Sequence, residues 1–155
     1  MLYLLTIAAA VLPFGLGCQP PSVDIGGDYC AAILHMSTGS WEVLENTCKA
    51  FGGHLAKVDN TDFLYYLIKH INDNGLTGHN YWVGGSDAAE EGTWVWMDGT
   101  PVKMGSPFWG YETAGGIQKP DQGDQGNCMI LMEDYHFLAA DHMCEDGNAG
   151  ICGYD

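Results

Sequence analysis

Apolar residues recur at helical spacing in two segments of the first half of the chain. The first segment begins after Ser40, a good N-cap residue, and ends at Gly52-Gly53. Its apolar positions are Trp41, Leu44, Cys48 and Phe51. The second begins at Asn60 or Thr61 and ends at Asp73-Asn74-Gly75. Its apolar face holds Phe63, Leu64, Leu67, Ile68 and Ile71. These patterns predict two amphipathic helices.

From Tyr81 onward the pattern changes to short apolar runs separated by turns that are rich in glycine. Such runs predict strands, at 81–83, 93–97, 128–132 and 150–153. Between them, Gly99 to Asn127 is a long segment of glycine, proline and polar residues. Long irregular loops in compact domains are usually functional or disordered, and we favour a functional loop here. Two helices followed by a half that is rich in strands predict an α+β fold.

The first 17 residues are apolar apart from Thr6 and end in small residues, Gly15 and Gly17. This composition predicts a cleaved signal peptide at 1–17, followed by one domain at 18–155. A membrane anchor is the alternative, but the run is short for a span and Pro13 interrupts it. We therefore expect a secreted, extracellular protein without a membrane partner.

Charge and motifs narrow the range of functions. The net charge is −15, from 20 acidic residues against five Lys and Arg. Nucleic acid and anionic membranes require clustered positive charge, so neither is an expected partner. No nucleophile elbow or metalloprotease motif occurs, and no histidine is linked to a nucleophile. The chain is therefore not expected to be an enzyme.

Six cysteines in a short secreted chain predict three disulfides. Their connectivity does not follow from the sequence alone. A zinc site is the alternative, but no Cys-x-x-Cys pair is present. The predicted signal peptide also favours an oxidising compartment.

Several motifs, in their order and spacing, resemble the C-type lectin domain family. A helix end and strand at 48–56, the Tyr81-Trp82-Val83-Gly84-Gly85 strand and the 94–99 hairpin each match a family element. Lys119-Pro120-Asp121 stands where the family has a Glu-Pro-Asn or Gln-Pro-Asp triplet. The chain is similar to secreted lectins of this family from molluscs and crustaceans, with a variant triplet.

The resemblance implies a C-type lectin-like fold, with two helices, small antiparallel sheets and a long binding loop. It also implies the three disulfide pairs, which are Cys18–Cys30, Cys48–Cys152 and Cys128–Cys144. In the family, the triplet proline is usually in the cis form. An X-Pro bond adopts that form at a cost of only about 0.5–1 kcal/mol.

In the family, the triplet and a downstream Trp-Asn-Asp hold a calcium ion that binds two sugar hydroxyls. Here Lys119 replaces the first ligand, and Ala140 replaces another. Only Asp121 and Asp141 remain, whereas calcium takes six to eight oxygen ligands. We therefore expect a polar cluster in which the Lys119 ammonium stands where the ion would be, and no required cofactor.

A second, structural calcium site of the family is half preserved. Asp87 and Glu91 match two of its ligands, but Gln122 and Asn127 stand where carboxylates are usual. Weak calcium binding and a solvated acidic loop are equally acceptable interpretations.

Aromatic rings near the site are candidates for stacking on a sugar. They are Tyr135, His136, Trp109 and Tyr111. We assign Trp82, Trp94 and Trp96 to the core, because they lie in predicted strands. For Tyr135 and His136, a plain packing or surface role is the alternative.

The sequence thus predicts a secreted, calcium-independent lectin that prefers N-acetylhexosamines, with Lys119, Asp121, Tyr135, His136 and Asp141 at the site. The family resemblance suggests innate immune recognition and a non-covalent homodimer that gains avidity. Two alternatives stay open. One is a conventional galactose-type calcium lectin, and the other is a protein- or ice-binding member of the fold.

Overall fold

The computed structural model describes residues 17–154. The predicted signal peptide at 1–17 therefore lies, apart from Gly17, outside the described residues, and its boundary stays a prediction. Within 17–154, no helix is long and apolar enough to cross a membrane.

Both predicted helices are present with the predicted caps. Helix α1 spans Trp41–Ala50, and the Ser40 hydroxyl accepts a hydrogen bond from the Val43 amide at 3.3 Å. Helix α2 spans Thr61–Asp73, and the Asn60 side chain accepts from the first amides of that helix. Both caps satisfy donors that the helices cannot bond internally.

The described residues also form two short 3-10 helices, at Gly123–Gln125 and Glu133–Tyr135, and ten strands. Six of them form the path β1–β2–β10–β4–β8–β9 through one mixed sheet, to which β3 and β5 also pair. Strands β6 and β7 form a separate hairpin. The strands are β1 (Val23–Gly26), β2 (Tyr29–Gly39), β3 (His54–Leu55), β4 (Tyr81–Ser86), β5 (Val95–Trp96), β6 (Tyr111–Glu112), β7 (Ile117–Gln118), β8 (Cys128–Met132), β9 (Leu138–His142) and β10 (Asn148–Gly153).

All four predicted strands correspond to strands of the sheet, namely β4, β5, β8 and β10. The sequence pattern missed β1, β2, β9 and the hairpin. Strand β2 was not predicted because its buried and exposed residues do not alternate. Strand β9 escaped because three consecutive residues, Ala139, Ala140 and Asp141, are all buried. Strands buried on both faces lack the period-2 pattern that sequence reading depends on.

The sheet carries apolar residues on both faces, as β4 illustrates. Tyr81 and Val83 pack in the cluster that includes the buried face of α2, whereas Trp82 packs in the cluster that includes α1. This follows from the alternation of side chains along a strand. Trp82, Trp94 and Trp96 are all buried, so their assignment to the core is confirmed.

Three disulfides connect distant parts of the fold in the implied pairing. They are Cys18–Cys30, Cys48–Cys152 and Cys128–Cys144, and no described cysteine is free. The pair Cys48–Cys152 joins α1 to β10, which lies inside the sheet. The C-type lectin-like α+β fold, with two helices and three disulfides, is therefore confirmed.

A buried carboxylate joins α1 to the neighbouring strand β3. Glu45 is almost fully buried, and its oxygens accept from the Leu55 amide at 2.8 Å and contact the His54 ring at 2.7 Å. The Lys49 ammonium lies 3.3 Å away. A buried charge is tolerated because these partners replace the water that it loses.

We predict that Glu45→Gln lowers the free energy of unfolding by about 1–3 kcal/mol, because it removes the charge from these buried hydrogen bonds. Urea denaturation of the oxidised protein measures the change. The matched control is Glu42→Gln, an exposed position in the same helix, for which the change should stay below about 1 kcal/mol. Equal effects of the two variants would contradict a special role for Glu45.

Candidate functional site

The long segment between β5 and β8 is attached to strand β9 at its base. The Gly110 amide donates to the Ala139 carbonyl at 2.7 Å, and the Ala139 amide donates to the Phe108 carbonyl at 2.8 Å. Trp109 forms a parallel bridge with Ala139. The entry to the loop is therefore fixed to the main sheet by backbone hydrogen bonds.

The exit of the loop is held by the carboxylate of Asp141, two residues further along β9. Asp141 is fully buried, and its oxygens accept from the Asp121 amide at 2.9 and 3.0 Å and from the Gln122 amide. The Gln122 side chain donates to the Asp141 carbonyl at 2.8 Å. Because its carboxylate faces loop amides and is closed to solvent, Asp141 can support a ligand site only by positioning the loop.

Lys119 occupies the centre of the predicted cluster, and its bond to Pro120 is cis. Its side chain is only 8% exposed. The ammonium lies 2.6 Å from Asp121 Oδ1 and 3.9 Å from Glu112 Oε2, and 5.4 Å from the centre of the Tyr135 ring. The second carboxylate beside Lys119 is therefore Glu112, whereas the sequence had suggested Asp141.

Electrostatics keep this ammonium charged. Burial lowers the pKa of Lys119, but the hydrogen bond to Asp121, the proximity of Tyr135 and the charge of Asp121 raise this pKa by more. The net result is a pKa above the ordinary value for lysine. A fixed positive charge thus lies at the site throughout the physiological pH range.

Tyr135 and His136 lie on the turn between β8 and β9. Tyr135 is half-buried against Gly110, where an added Cβ would come within 3.0 Å of its Cβ and Cγ. A side chain at position 110 would therefore press on the Tyr135 ring, and glycine avoids this contact. His136 is exposed and has a left-handed backbone conformation, and its side chain makes no hydrogen bond within residues 17–154. Of the two, Tyr135 contacts Lys119.

The two other aromatic candidates, Trp109 and Tyr111, differ in their exposure to solvent. Trp109 is buried and packs edge-on against Trp94, with ring centres 5.0 Å apart, so the suggestion that it stacks on a sugar is wrong. Tyr111 is 51% exposed on the hairpin. Although it lies in a polar loop, Trp109 is therefore part of the core.

The same site includes three residues that the sequence analysis did not predict, namely Glu112, Gly110 and Gln118. The Gln118 side chain donates to the Gly110 carbonyl at 2.7 Å, which ties the end of β7 to the start of β6. One signal was available, because Gly115-Gly116 between the apolar residues Tyr111 and Ile117 is typical of a hairpin turn.

The acidic loop after β4 contains the predicted structural metal ligands. Asp87 is buried, and its Oδ2 accepts from the Gly92 amide at 2.9 Å. Its Oδ1 and the Asn127 Oδ1 are buried oxygens without a hydrogen-bond partner. Burial, with the charges of Asp141 and Asp124, raises the pKa of Asp87 despite backbone hydrogen bonds that lower it.

Glu91 lies beside this pair but is exposed. Desolvation first, and then the neighbouring charges of Asp87 and Asp124, raise the pKa of Glu91. Across residues 17–154, no three His, Cys, Asp or Glu side chains are grouped closely enough to hold a metal. The oxygen donors suit calcium in kind, but they are fewer than the six to eight that it prefers.

Comparison with known proteins identifies the family. The Lectin C-type domain family matches residues 37–154, which is most of the chain. The chain belongs to the C-type lectin domain family. Proteins of this family are non-enzymatic binding proteins.

Individual relatives are distant. The chain is 23% identical to asialoglycoprotein receptor 2 of Mus musculus over 148 residues, covering 88% of this chain and 46% of the relative. It is 33% identical to the type-2 ice-structuring protein of Hemitripterus americanus over 92 residues, covering 56% and 52%. The chain thus spans about half the length of these two curated relatives. Both are vertebrate proteins, so the invertebrate subgroup stays a prediction.

The fold is also similar to solved structures. A calcium-independent type II antifreeze protein superposes with a TM-score of 0.68 at 24% identity, covering 87% of this chain and 92% of that protein. At this level of identity the likeness supports the fold alone. Function therefore has to be argued from the Lys119 site.

We predict that Asp141→Asn lowers the free energy of unfolding by about 2–3 kcal/mol, because it replaces a charged acceptor of two amides with a neutral amide. Denaturant unfolding measures this loss. Asp134→Asn, an exposed aspartate on the adjacent turn, is the matched control and should change stability by less than about 0.5 kcal/mol. Wild-type stability in Asp141→Asn would show that the loop does not depend on this carboxylate.

Proposed function

We propose that this chain is a secreted carbohydrate-binding lectin whose sugar site works without calcium and prefers N-acetylhexosamines. The observation that carries the proposal is the Lys119 ammonium, which lies between Asp121 and Glu112 and next to the Tyr135 ring. The site combines hydrogen-bond donors, acceptors and an aromatic surface. Those are the groups that bind neutral sugars.

Calcium independence follows from charge. A divalent cation near the triplet would meet the fixed positive charge of Lys119, and such repulsion is strong at short range. Asp121 Oδ1 already accepts from Lys119 at 2.6 Å, and both Asp141 oxygens accept from loop amides. Few carboxylate oxygens therefore remain for an ion in this part of the loop.

The preference for N-acetylhexosamines rests on the size of ordinary contacts. Without a metal ion, each hydrogen bond contributes only about 0.5–1.5 kcal/mol net. An acetamido group adds a carbonyl acceptor for Lys119, an N–H donor for Asp121 and a methyl group that can pack on Tyr135. Sialic acid also has this group, but its carboxylate would meet a chain of net charge −15.

A structural calcium ion, separate from sugar binding, fits the acidic loop best at Asp87 and Glu91. The unpartnered oxygens of Asp87 and Asn127 support it, because buried acceptors without a partner are costly. The small number of carboxylates implies weak binding. We assign this ion an effect on stability alone.

The biological setting is proposed from the family resemblance. We propose that the protein is secreted, acts in innate immune recognition and forms a homodimer, like the invertebrate lectins that it resembles. A single small binding site is consistent with this setting. Such sites bind weakly alone and gain avidity when they are paired.

An ice-binding function is the second candidate, because one relative is an ice-structuring protein with 33% identity over 92 residues. The Lys119 cluster argues against a decayed site, since it keeps a charged, organised set of side chains. A thermal-hysteresis measurement distinguishes this candidate from a lectin.

We predict that binding of immobilised N-acetylhexosamines persists in excess EDTA, because the Lys119 ammonium replaces the ion. Surface plasmon resonance with and without calcium measures it, and the affinity should change by less than about twofold. Loss of binding in EDTA would instead favour the conventional calcium lectin with a galactose-type triplet.

Lys119→Gln is the companion variant in this experiment. It should lose binding at least about tenfold without acquiring calcium dependence, because Ala140 still supplies no ligand. Lys69→Gln, an exposed lysine on α2, is the matched control and should bind like the wild type. Calcium-dependent galactose binding by Lys119→Gln would show that Ala140 is harmless.

We predict that N-acetylgalactosamine competes about tenfold better than galactose, and N-acetylglucosamine about tenfold better than glucose. The acetamido group supplies one or two additional contacts, each near 1 kcal/mol. Competition against an immobilised glycan measures the ratio. Equal inhibition within each pair would remove the acetamido group from the explanation.

A further inference from the structure

The hairpin β6–β7 presents one of its faces beside the Lys119 ammonium. Glu112 pairs directly with Ile117, so their side chains lie on the same face of the hairpin. Lys119 directly follows β7, two residues after Ile117, and its ammonium approaches Glu112 on this face. The 3.9 Å distance from Glu112 Oε2 to Lys119 Nζ agrees with this arrangement.

The exposure of the side chains increases along this face. At its inner end, the side chain of Lys119 is 8% exposed and lies close to the Tyr135 ring. Further out, Ile117 is 41% exposed and the Glu112 side chain is 42% exposed. The face therefore runs from a buried ammonium to an open apolar side chain with a carboxylate beside it.

Hydrogen bonds hold this outer part in a fixed relation to Lys119. The Lys119 amide and the Gln118 side chain both donate to the Gly110 carbonyl, at 3.0 and 2.7 Å. The Gly110 amide in turn donates to Ala139 of β9. Because the face is organised before a ligand arrives, contacts to it carry little ordering cost.

We propose that Ile117 and Glu112 form a second sugar subsite, which takes the residue linked to the N-acetylhexosamine at Lys119. This rests on the proposed carbohydrate function and makes the ligand an oligosaccharide rather than a single sugar. Ile117 precedes Lys119 by only two residues, so their Cα atoms are at most about 7 Å apart and a linked sugar can reach Ile117. The apolar C–H face of that ring packs on Ile117, and one of its hydroxyls donates to Glu112.

Tyr111 does not belong to this subsite, although it is exposed. It pairs with Gln118, and these two side chains lie on the opposite face of the hairpin. A substitution on the face of Ile117 should therefore change binding at the subsite, whereas one on the face of Tyr111 should not.

Calorimetric titration of the full mature protein with N-acetylglucosamine and with its β1–4-linked disaccharide tests the subsite. The disaccharide should bind the wild type about five- to tenfold more tightly. Ile117→Ser should reduce this ratio to about two or three and leave the affinity for the monosaccharide within about twofold. Ile117→Trp should raise the ratio, because it enlarges the apolar surface.

Two control variants accompany these measurements. Val23→Ser removes a similarly exposed apolar side chain from β1, and Tyr111→Ser removes the ring on the opposite face of the hairpin. Both should keep the wild-type ratio. Glu112→Gln should weaken disaccharide binding about threefold, whereas Glu145→Gln, an exposed glutamate in the turn before β10, should not.

The outcomes test the subsite separately from the proposed carbohydrate function on which it rests. A wild type that binds neither of these sugars nor N-acetylgalactosamine overturns the proposed carbohydrate function and the subsite with it. A wild type that binds both sugars equally overturns the subsite and leaves the function standing. An unchanged ratio in both Ile117→Ser and Ile117→Trp has the same consequence.

Discussion

The candidate site depends on the buried carboxylate of Asp141. A charge removed from water must be matched by hydrogen bonds, and here the amides of Asp121 and Gln122 provide them. This fixes Asp121, whose side chain in turn holds the Lys119 ammonium. A charge buried in the main sheet thus determines where the exposed part of the loop lies.

Strand β9 serves both ends of the loop. At the entry, the Ala139 carbonyl accepts a hydrogen bond from the Gly110 amide. Near the exit, the Asp141 carboxylate accepts hydrogen bonds from the loop amides. The disulfide Cys128–Cys144 connects the start of β8 to the segment just after β9. A long segment with little regular structure of its own is thereby organised by a strand of the main sheet, which suits a binding loop.

The candidate site is built around one buried positive charge. The protein has a net charge of −15, yet one of its five basic residues is almost fully buried at the triplet. Three groups stabilise this ammonium, namely Asp121, Glu112 and the Tyr135 ring. The acidic loop at Asp87 has the opposite character, with buried oxygens that lack partners. The first arrangement supports the proposed direct contact with a neutral ligand, and the second supports the proposed weak binding of a cation.

The sequence by itself determined both helices with their caps, four strands and the unusual lysine of the triplet. It could do so because capping, periodicity and motif spacing are local properties. The family resemblance added the disulfide pairing. Only the tertiary structure decided that Asp141 faces amides, that Trp109 belongs to the core and that Glu112 joins Lys119. These facts depend on which distant segments meet, and strand β9 carries no periodic signal because its central residues are buried regardless of the face they lie on.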